Sequence, residues 1–117
     1  MDKLIDSSAF NNSDYEIASI LYELFKNDFR YSNNNWEYYK QNCWNIDNKN
    51  NILRDTLKNK ACTYFINRSI FWAEKTKQIN SKEDILSTKL LFIGTNFKND
   101  KYISNIIKEC KQFFNND

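Results

Sequence analysis

The stretch "RYSNNNWEYYKQNCWNIDN", residues 30–48, sets two tryptophans and three tyrosines among asparagines and charges. Two readings compete: the rings form a surface on which something stacks, or they are the packed half of a small sheet. Trp36-Glu37-Tyr38-Tyr39 and Trp44-Asn45-Ile46 are short β-prone pieces flanking the polar connection Lys40-Gln41-Asn42-Cys43, which reads as an antiparallel hairpin at about residues 35–47. Period two puts Trp36 and Tyr38 on one side of the first strand, and Trp44 and Ile46 on one side of the second. If those sides coincide, cross-strand aromatic pairs hold the ribbon together. An isolated ribbon is marginal in water, so one side has to lie against helices. Rings of this size are mostly buried, which favours packing over stacking.

Helical patterns surround the hairpin. Ser13-Asp14-Tyr15-Glu16 is a capping box that starts a helix, with Ile17, Ile20, Leu21, Leu24 and Phe25 on one side and Glu16, Ser19, Glu23 and Lys26 on the other. Residues 1–12 carry no sustained period and are expected to be a loose N-terminal arm before a single domain, 13–117. From about Asn51 to Lys77 the period is helical again, as one helix or two, with Leu53, Leu57, Tyr64 and Phe71 on a common side. Ser81-Lys82-Glu83-Asp84 starts another helix, expected to end near Gly94, the chain's one glycine. In the last segment Ile103, Ile106, Ile107, Cys110, Phe113 and Phe114 fall within an arc of ~120°, with Lys101 and Lys108 opposite. The expectation is an α+β fold, mainly α: four or five helices with one small aromatic β-hairpin, in the order α-β-β-α-α-α.

Composition excludes several chemistries. The 117 residues are 41% hydrophobic, 16% aromatic and 27% charged, enough for a compact core without a metal or disulfide staple. Net charge is +2, short of a strongly basic nucleic-acid footprint. The chain has no histidine, and Cys43, Cys62 and Cys110 stand far apart, so the usual zinc ligand sets are missing and the thiols read as small hydrophobes. One glycine cannot build a phosphate-cradling loop. The Glu83-Asp84 pair reads as helix capping, and no serine or cysteine has a histidine to activate it. This segment is therefore not expected to be an enzyme or to hold a cofactor. An odd cysteine count and no leading apolar segment fit an intracellular compartment, and no apolar run approaches membrane-spanning length. Asparagine occurs 19 times alongside abundant Lys, Ile, Tyr and Phe, a bias toward A- and T-rich codons that also lets asparagine fill turn positions.

Arg54, Lys58, Arg68 and Lys75 share an arc of ~100° if residues 51–77 form one straight helix, a stripe that could follow a phosphate backbone, with Lys40 in the hairpin turn as a further contact. Phe65 and Trp72 project into the same arc, and Asp55 and Glu74 dilute its field.

The order of "LYELFKNDFRY" (21–31), "WEYYKQNCW" (36–44), "LRDTL" (53–57) and "TNFKNDKYISNIIKECKQFF" (95–114) resembles the poxvirus-type primase-helicase N-terminal domain. That module lies between the primase and the superfamily-three helicase of large DNA viruses, with relatives in phage and plasmid replication proteins. Trp36, Tyr38 and Trp44 match the family's Trp-x-Tyr and downstream Trp, and the similarity runs from about Ser13 to Phe114. Family hairpins often turn on Asn-Gly, a glycine that Lys40-Gln41-Asn42-Cys43 lacks. The resemblance implies a non-catalytic accessory domain that links primase and hexameric helicase and aids ring assembly or DNA guidance. ATP and Mg would belong to the helicase downstream. Implied partners are adjacent primase and helicase domains or subunits, with self-association in the ring. The implied location is the host cytoplasm or a viral replication site. On this reading Trp36, Tyr38 and Trp44 pin the hairpin to the helices. The alternatives are a single-stranded DNA-binding module and a stand-alone small viral interaction protein.

Overall fold

A computed structural model describes residues 1–116. The fold is α+β, mainly α, with one three-stranded antiparallel sheet. The elements are α1 (Asp2–Ser7), α2 (Asp14–Phe25), β1 (Phe29–Ser32), β2 (Asn35–Lys40), β3 (Cys43–Ile46), α3 (Asn51–Thr56), α4 (Cys62–Lys75), α5 (Lys82–Asn96) and α6 (Asp100–Phe114). The body measures 50 × 26 × 21 Å. The expected domain 13–117 ends one residue beyond the described chain.

The N-terminal residues are not a loose arm. Residues 2–7 form α1, and Ile5 and Ala9 are buried in the common core. Six residues are too few to display a period, and a helix that short has no stability of its own. Tertiary contacts hold it, chiefly the Asp6 carboxylate gripped by Arg68 of α4 at 2.9 and 2.7 Å. The second helix forms as its sequence dictates. Ser13 Oγ accepts from the Glu16 N–H at 3.2 Å, and Ile17, Ala18, Ile20, Leu21 and Phe25 are buried.

The sheet has one strand more than the sequence suggested. Phe29–Ser32 pairs with β2 through the two-residue turn Asn33-Asn34, and β2 pairs with β3 through Gln41-Asn42. All four turn residues have positive φ, 53° and 64° in the first turn and 54° and 63° in the second. Two-residue hairpins need that backbone because its twist matches the strands. Three of the four are asparagine, which reaches it by local hydrogen bonding without glycine; Gln41 is the exception.

The register corrects the expected role of Trp44. Tyr39 sits across from Trp44, Glu37 from Ile46, and Tyr38 from Asn45. Partners in an antiparallel pair share a face, and here paired numbers sum to an odd total. Even-numbered Trp36 and Tyr38 therefore face away from even-numbered Trp44 and Ile46. The inner face carries Trp36 and Tyr38 with Phe29 and Tyr31 of β1, while Trp44 lies on the outer face with Tyr39. Trp36 is 2% exposed and packs against Phe114 of α6 at 5.3 Å and Tyr31 at 5.4 Å. The free edge of β1 is covered by the end of the chain, where Asn116 N–H donates to the Tyr31 carbonyl at 3.0 Å.

Asp47 fastens the sheet to the helices. Its N–H donates to the Trp36 carbonyl at 2.8 Å, and its buried carboxylate accepts from the N–H groups of Ile52 and Leu53, both at 2.8 Å. Two donors at the start of α3 are thereby satisfied across the turn 48–50, in which Lys49 and Asn50 are left-handed.

Residues 51–75 form one continuous helical rod interrupted by a π turn at Leu57–Ala61. Its buried positions include Leu53, Leu57, Ala61, Phe65 and Ser69, spaced by four, with Cys62 beside Ala61. In a pure α-helix that spacing drifts by ~40° per step; the wider π turn absorbs part of the drift. The expected common side therefore fails beyond Leu57, and Tyr64 and Phe71 are on the exposed side. Helix α5 packs antiparallel to α4, with Ser69 and Ser87 exchanging hydroxyl-to-carbonyl bonds of 2.8 and 2.9 Å. Helix α5 ends at Asn96, near Gly94 as expected, although Gly94 itself lies inside the helix and is not its cap. A Cβ on Gly94 would lie 2.8 Å from Ile66 Cδ1, so its role is close helix contact. Helix α6 buries Ile103, Ile106, Ile107, Cys110 and Phe114 against α2 and the sheet, with Phe113 half-buried beside Tyr15.

Removing the Asp47 carboxylate strands two N–H groups, one of them buried. Asp47→Ala is expected to cost about 1–3 kcal/mol in urea unfolding, with Asp47→Asn between it and the parent. A loss below about half a kcal/mol would remove this cap from the account. The three cysteines supply a second check. Cys43 is exposed while Cys62 and Cys110 are buried, and burial pushes the Cys110 thiol far above its ordinary value. A raised value keeps that thiol protonated at mildly alkaline pH, so iodoacetamide should modify Cys43 rapidly in the folded protein and Cys110 only on unfolding. Equal labelling rates would contradict the packing of α6.

Candidate functional site

The structure separates the residues of the expected basic stripe and gives most of them partners inside the molecule. Arg54 on α3 donates to Ser104 Oγ of α6. Lys58 on the π turn bonds Asp100 at 2.7 Å, and Lys98 Nζ donates to the Lys58 carbonyl at 2.7 Å. The hydrogen bond from Lys58 holds the Asp100 carboxyl below the usual carboxylate range. A depressed value means that this pair's contribution is present above the ordinary carboxylate pKa and lost as the pH falls through the lowered one. Both partners are well exposed, so the bond fixes the start of α6 with little net energy.

Arg68 is the most deeply committed cation. Its side chain is 14% exposed and bonds Asp6 at 2.7 Å and Asp2 at 3.3 Å, with the Phe71 ring 4.2 Å from its guanidinium carbon. The hydrogen bond to Asp6 raises its pKa further, so it stays charged throughout the working pH range. Lys75, at the end of α4, lies 4.9 Å from the same Phe71 ring. Arg54 and Lys58 thus point toward α6 and Arg68 toward α1. A phosphate backbone would have to displace these partners, so the expected nucleic-acid stripe is not a single open surface. The straight-helix projection failed because of the π turn, and the acidic partners came from segments whose packing the sequence did not reveal.

Lys40 is different, since it belongs to a cleft. A hollow of about 250 Å³ lies between the end of β2 (Tyr38–Lys40), Phe25 at the end of α2, and Ile52 and Thr56 of α3. Lys60 on the π turn closes it and also lines a shallower depression of about 320 Å³ beside Tyr64 and Asn67. Among the described residues neither Lys40 nor Lys60 joins an ion pair. Lys60 shares a side of the rod with Ile52 and Thr56 at a spacing of four; it escaped the sequence reading because the cleft exists only where the end of β2 packs opposite that side.

Two further surfaces are open. The outer face of the sheet carries an Arg30–Glu37 ion pair, with the Arg30 guanidinium 4.5 Å over Trp44 and Tyr39 edge-on to Trp44 at 5.2 Å. Ile46 beside them is exposed. The outward side of α5 carries Ile85, Thr88, Leu91, Phe92 and Thr95, all exposed and uncharged, bordered by the exposed Lys89, with Phe92 61% accessible. Among the described residues no group of three His, Cys, Asp or Glu side chains could hold a metal ion, and no helix is long and apolar enough to cross a membrane. No protein-family model, curated protein or solved structure matches this chain.

Arg68 is accordingly structural. Arg68→Met should cost about 1–3 kcal/mol by leaving the half-buried Asp6 unpaired. Hydrogen exchange reads the mechanism: amides of residues 4–10 should lose protection before the rest of the molecule. Unchanged protection there would show that α1 is held by something else.

Proposed function

We propose that this chain is a non-catalytic docking module of a DNA-replication assembly, of the kind that joins a primase to a hexameric helicase. The similarity of its aromatic hairpin and last helix to such modules motivates the reading. The observation that carries it is the outward side of α5. A helix packed on one side ordinarily shows charge on the other. Here the solvent side presents Ile85, Leu91 and Phe92, at 40, 47 and 61% exposure, with Thr88 and Thr95 among them and charge only at its border, on Lys89. That composition suits a surface covered in an assembly, and the occupant proposed is a helicase or primase subunit. The internal satisfaction of Arg54, Lys58 and Arg68 supports the same reading, since those cations build the module itself. Trp36 and Tyr38 hold the sheet to the helices, which gives neighbours a rigid body to dock on. The module works where the replication machinery assembles, in the host cytoplasm or at a viral replication site, and ATP and Mg bind to the helicase.

Sedimentation of the chain with the helicase and the primase encoded by the same genome tests this. A complex should form with one of them, and Phe92→Glu should weaken it about tenfold or more while circular dichroism stays unchanged. No complex at ~100 µM with either protein, or a complex indifferent to both Phe92→Glu and Leu91→Glu, would overturn the proposal.

A further inference from the structure

We propose that the cleft between the end of β2 and the helical rod, continued past Lys60 to Tyr64, binds single-stranded nucleic acid. Three features converge there. Lys40 and Lys60 are the cations of the cleft, and neither has an intramolecular ion-pair partner among the described residues, unlike Lys58 and Arg68. One exposed phenol ring borders it, Tyr64 at 42% exposure, backed by Phe25 at 6.2 Å, while Tyr39 lines it from the end of β2 with its ring on the outer sheet face against Trp44. A backed ring stays in place when a base leaves water to lie on it. Amides at Asn59 and Asn67 line the far end, where they can meet base edges.

The helical rod makes this arrangement. Ile52, Thr56, Lys60, Thr63 and Asn67 recur every three or four residues and so share one side, while Lys58, two residues from Lys60, bonds Asp100 on the other. From Ile52 to Asn67 the rod is about 22 Å long, room for several nucleotides. The Tyr64 ring face selects the class of ligand. Stacked bases inside a duplex cannot reach it, whereas unstacked bases can. An acidic peptide would use the lysines and leave the ring idle. Asp28 also lines the cleft, at the Lys40 end, which limits the field to two phosphate contacts and makes binding modest and salt-sensitive.

Anisotropy of labelled oligo-dT, oligo-U, a duplex of equal length and polyglutamate tests the proposal. Single strands should bind, and raising salt from about 50 to about 200 mM should weaken them roughly sevenfold, as expected for two phosphate contacts on a single strand. Lys40→Gln and Lys60→Gln should each reduce the salt slope by ~0.7, and Tyr64→Leu should weaken binding with the slope unchanged. Lys101→Gln, exposed on α6 away from the cleft, is the control and should change nothing. A stronger response to oligo-dT or to oligo-U identifies the sugar; either supports the site. Absence of single-strand binding at ~200 µM, preference for the duplex or for polyglutamate, or indifference to both lysine variants would overturn it. The site is independent of α5, so its failure would leave docking through Phe92 standing.

Discussion

The indole of Trp36 is the contact on which this structure depends. A three-stranded sheet of four, six and four residues has too little surface to persist alone, and it survives only if one face is buried against something else. Trp36 supplies that burial, with its ring against Phe114 at the end of α6 and Tyr31 on the neighbouring strand. Phe114 in turn meets Tyr22 of α2 edge-on at 5.1 Å, so one run of rings joins the sheet to the two helices that form the centre of the body. The polar work beside it falls to Asp47, which closes the last sheet bond and caps α3. Burial and capping are thus adjacent in space though eleven residues apart in sequence.

The surfaces left over divide by chemistry. Cations that a linear reading aligned into one stripe are spent on internal bonds to α1 and α6, where they orient helices. The outer sheet face largely satisfies itself, since Arg30 serves both Glu37 and the Trp44 ring. What stays unsatisfied is the apolar side of α5 and the pair of lysines beside the exposed Tyr64. These are on different elements and suit different ligands, which allows a docking partner and a strand of nucleic acid to be held at once.

Much of the fold was legible because local chemistry and tertiary demand agreed. The capping serine of α2, the apolar arcs of α2 and α6, and the burial of Trp36 followed from spacing alone. Strand β1 was missed because its turn is Asn33-Asn34, where positive φ comes from asparagine and the familiar glycine signal is absent. Trp44 lies on the side opposite Trp36 because a turn centred between residues 41 and 42 pairs even positions with odd ones. Helix α1, the π turn and the position of Gly94 were not legible in that way. Each is fixed by a partner distant in the chain, Arg68 for α1 and Ile66 for Gly94, or by the need to keep Leu53 and Ser69 on one side. The site was the least legible part, because Lys60 joins Lys40 only through the packing of β2 against the rod.

The most direct test of the central claim is urea unfolding of Trp36→Ala and Trp36→Phe, with hydrogen exchange across residues 29–46. Among the described residues the Trp36 indole N–H has no hydrogen-bond partner, so the ring acts through apolar packing and phenylalanine should retain most of its effect. The account predicts a loss of about 3–5 kcal/mol for Trp36→Ala, a markedly smaller loss for Trp36→Phe, and early exchange of the sheet amides in the alanine variant. A Trp36→Ala protein within about 1 kcal/mol of the parent, with sheet protection intact, would contradict it.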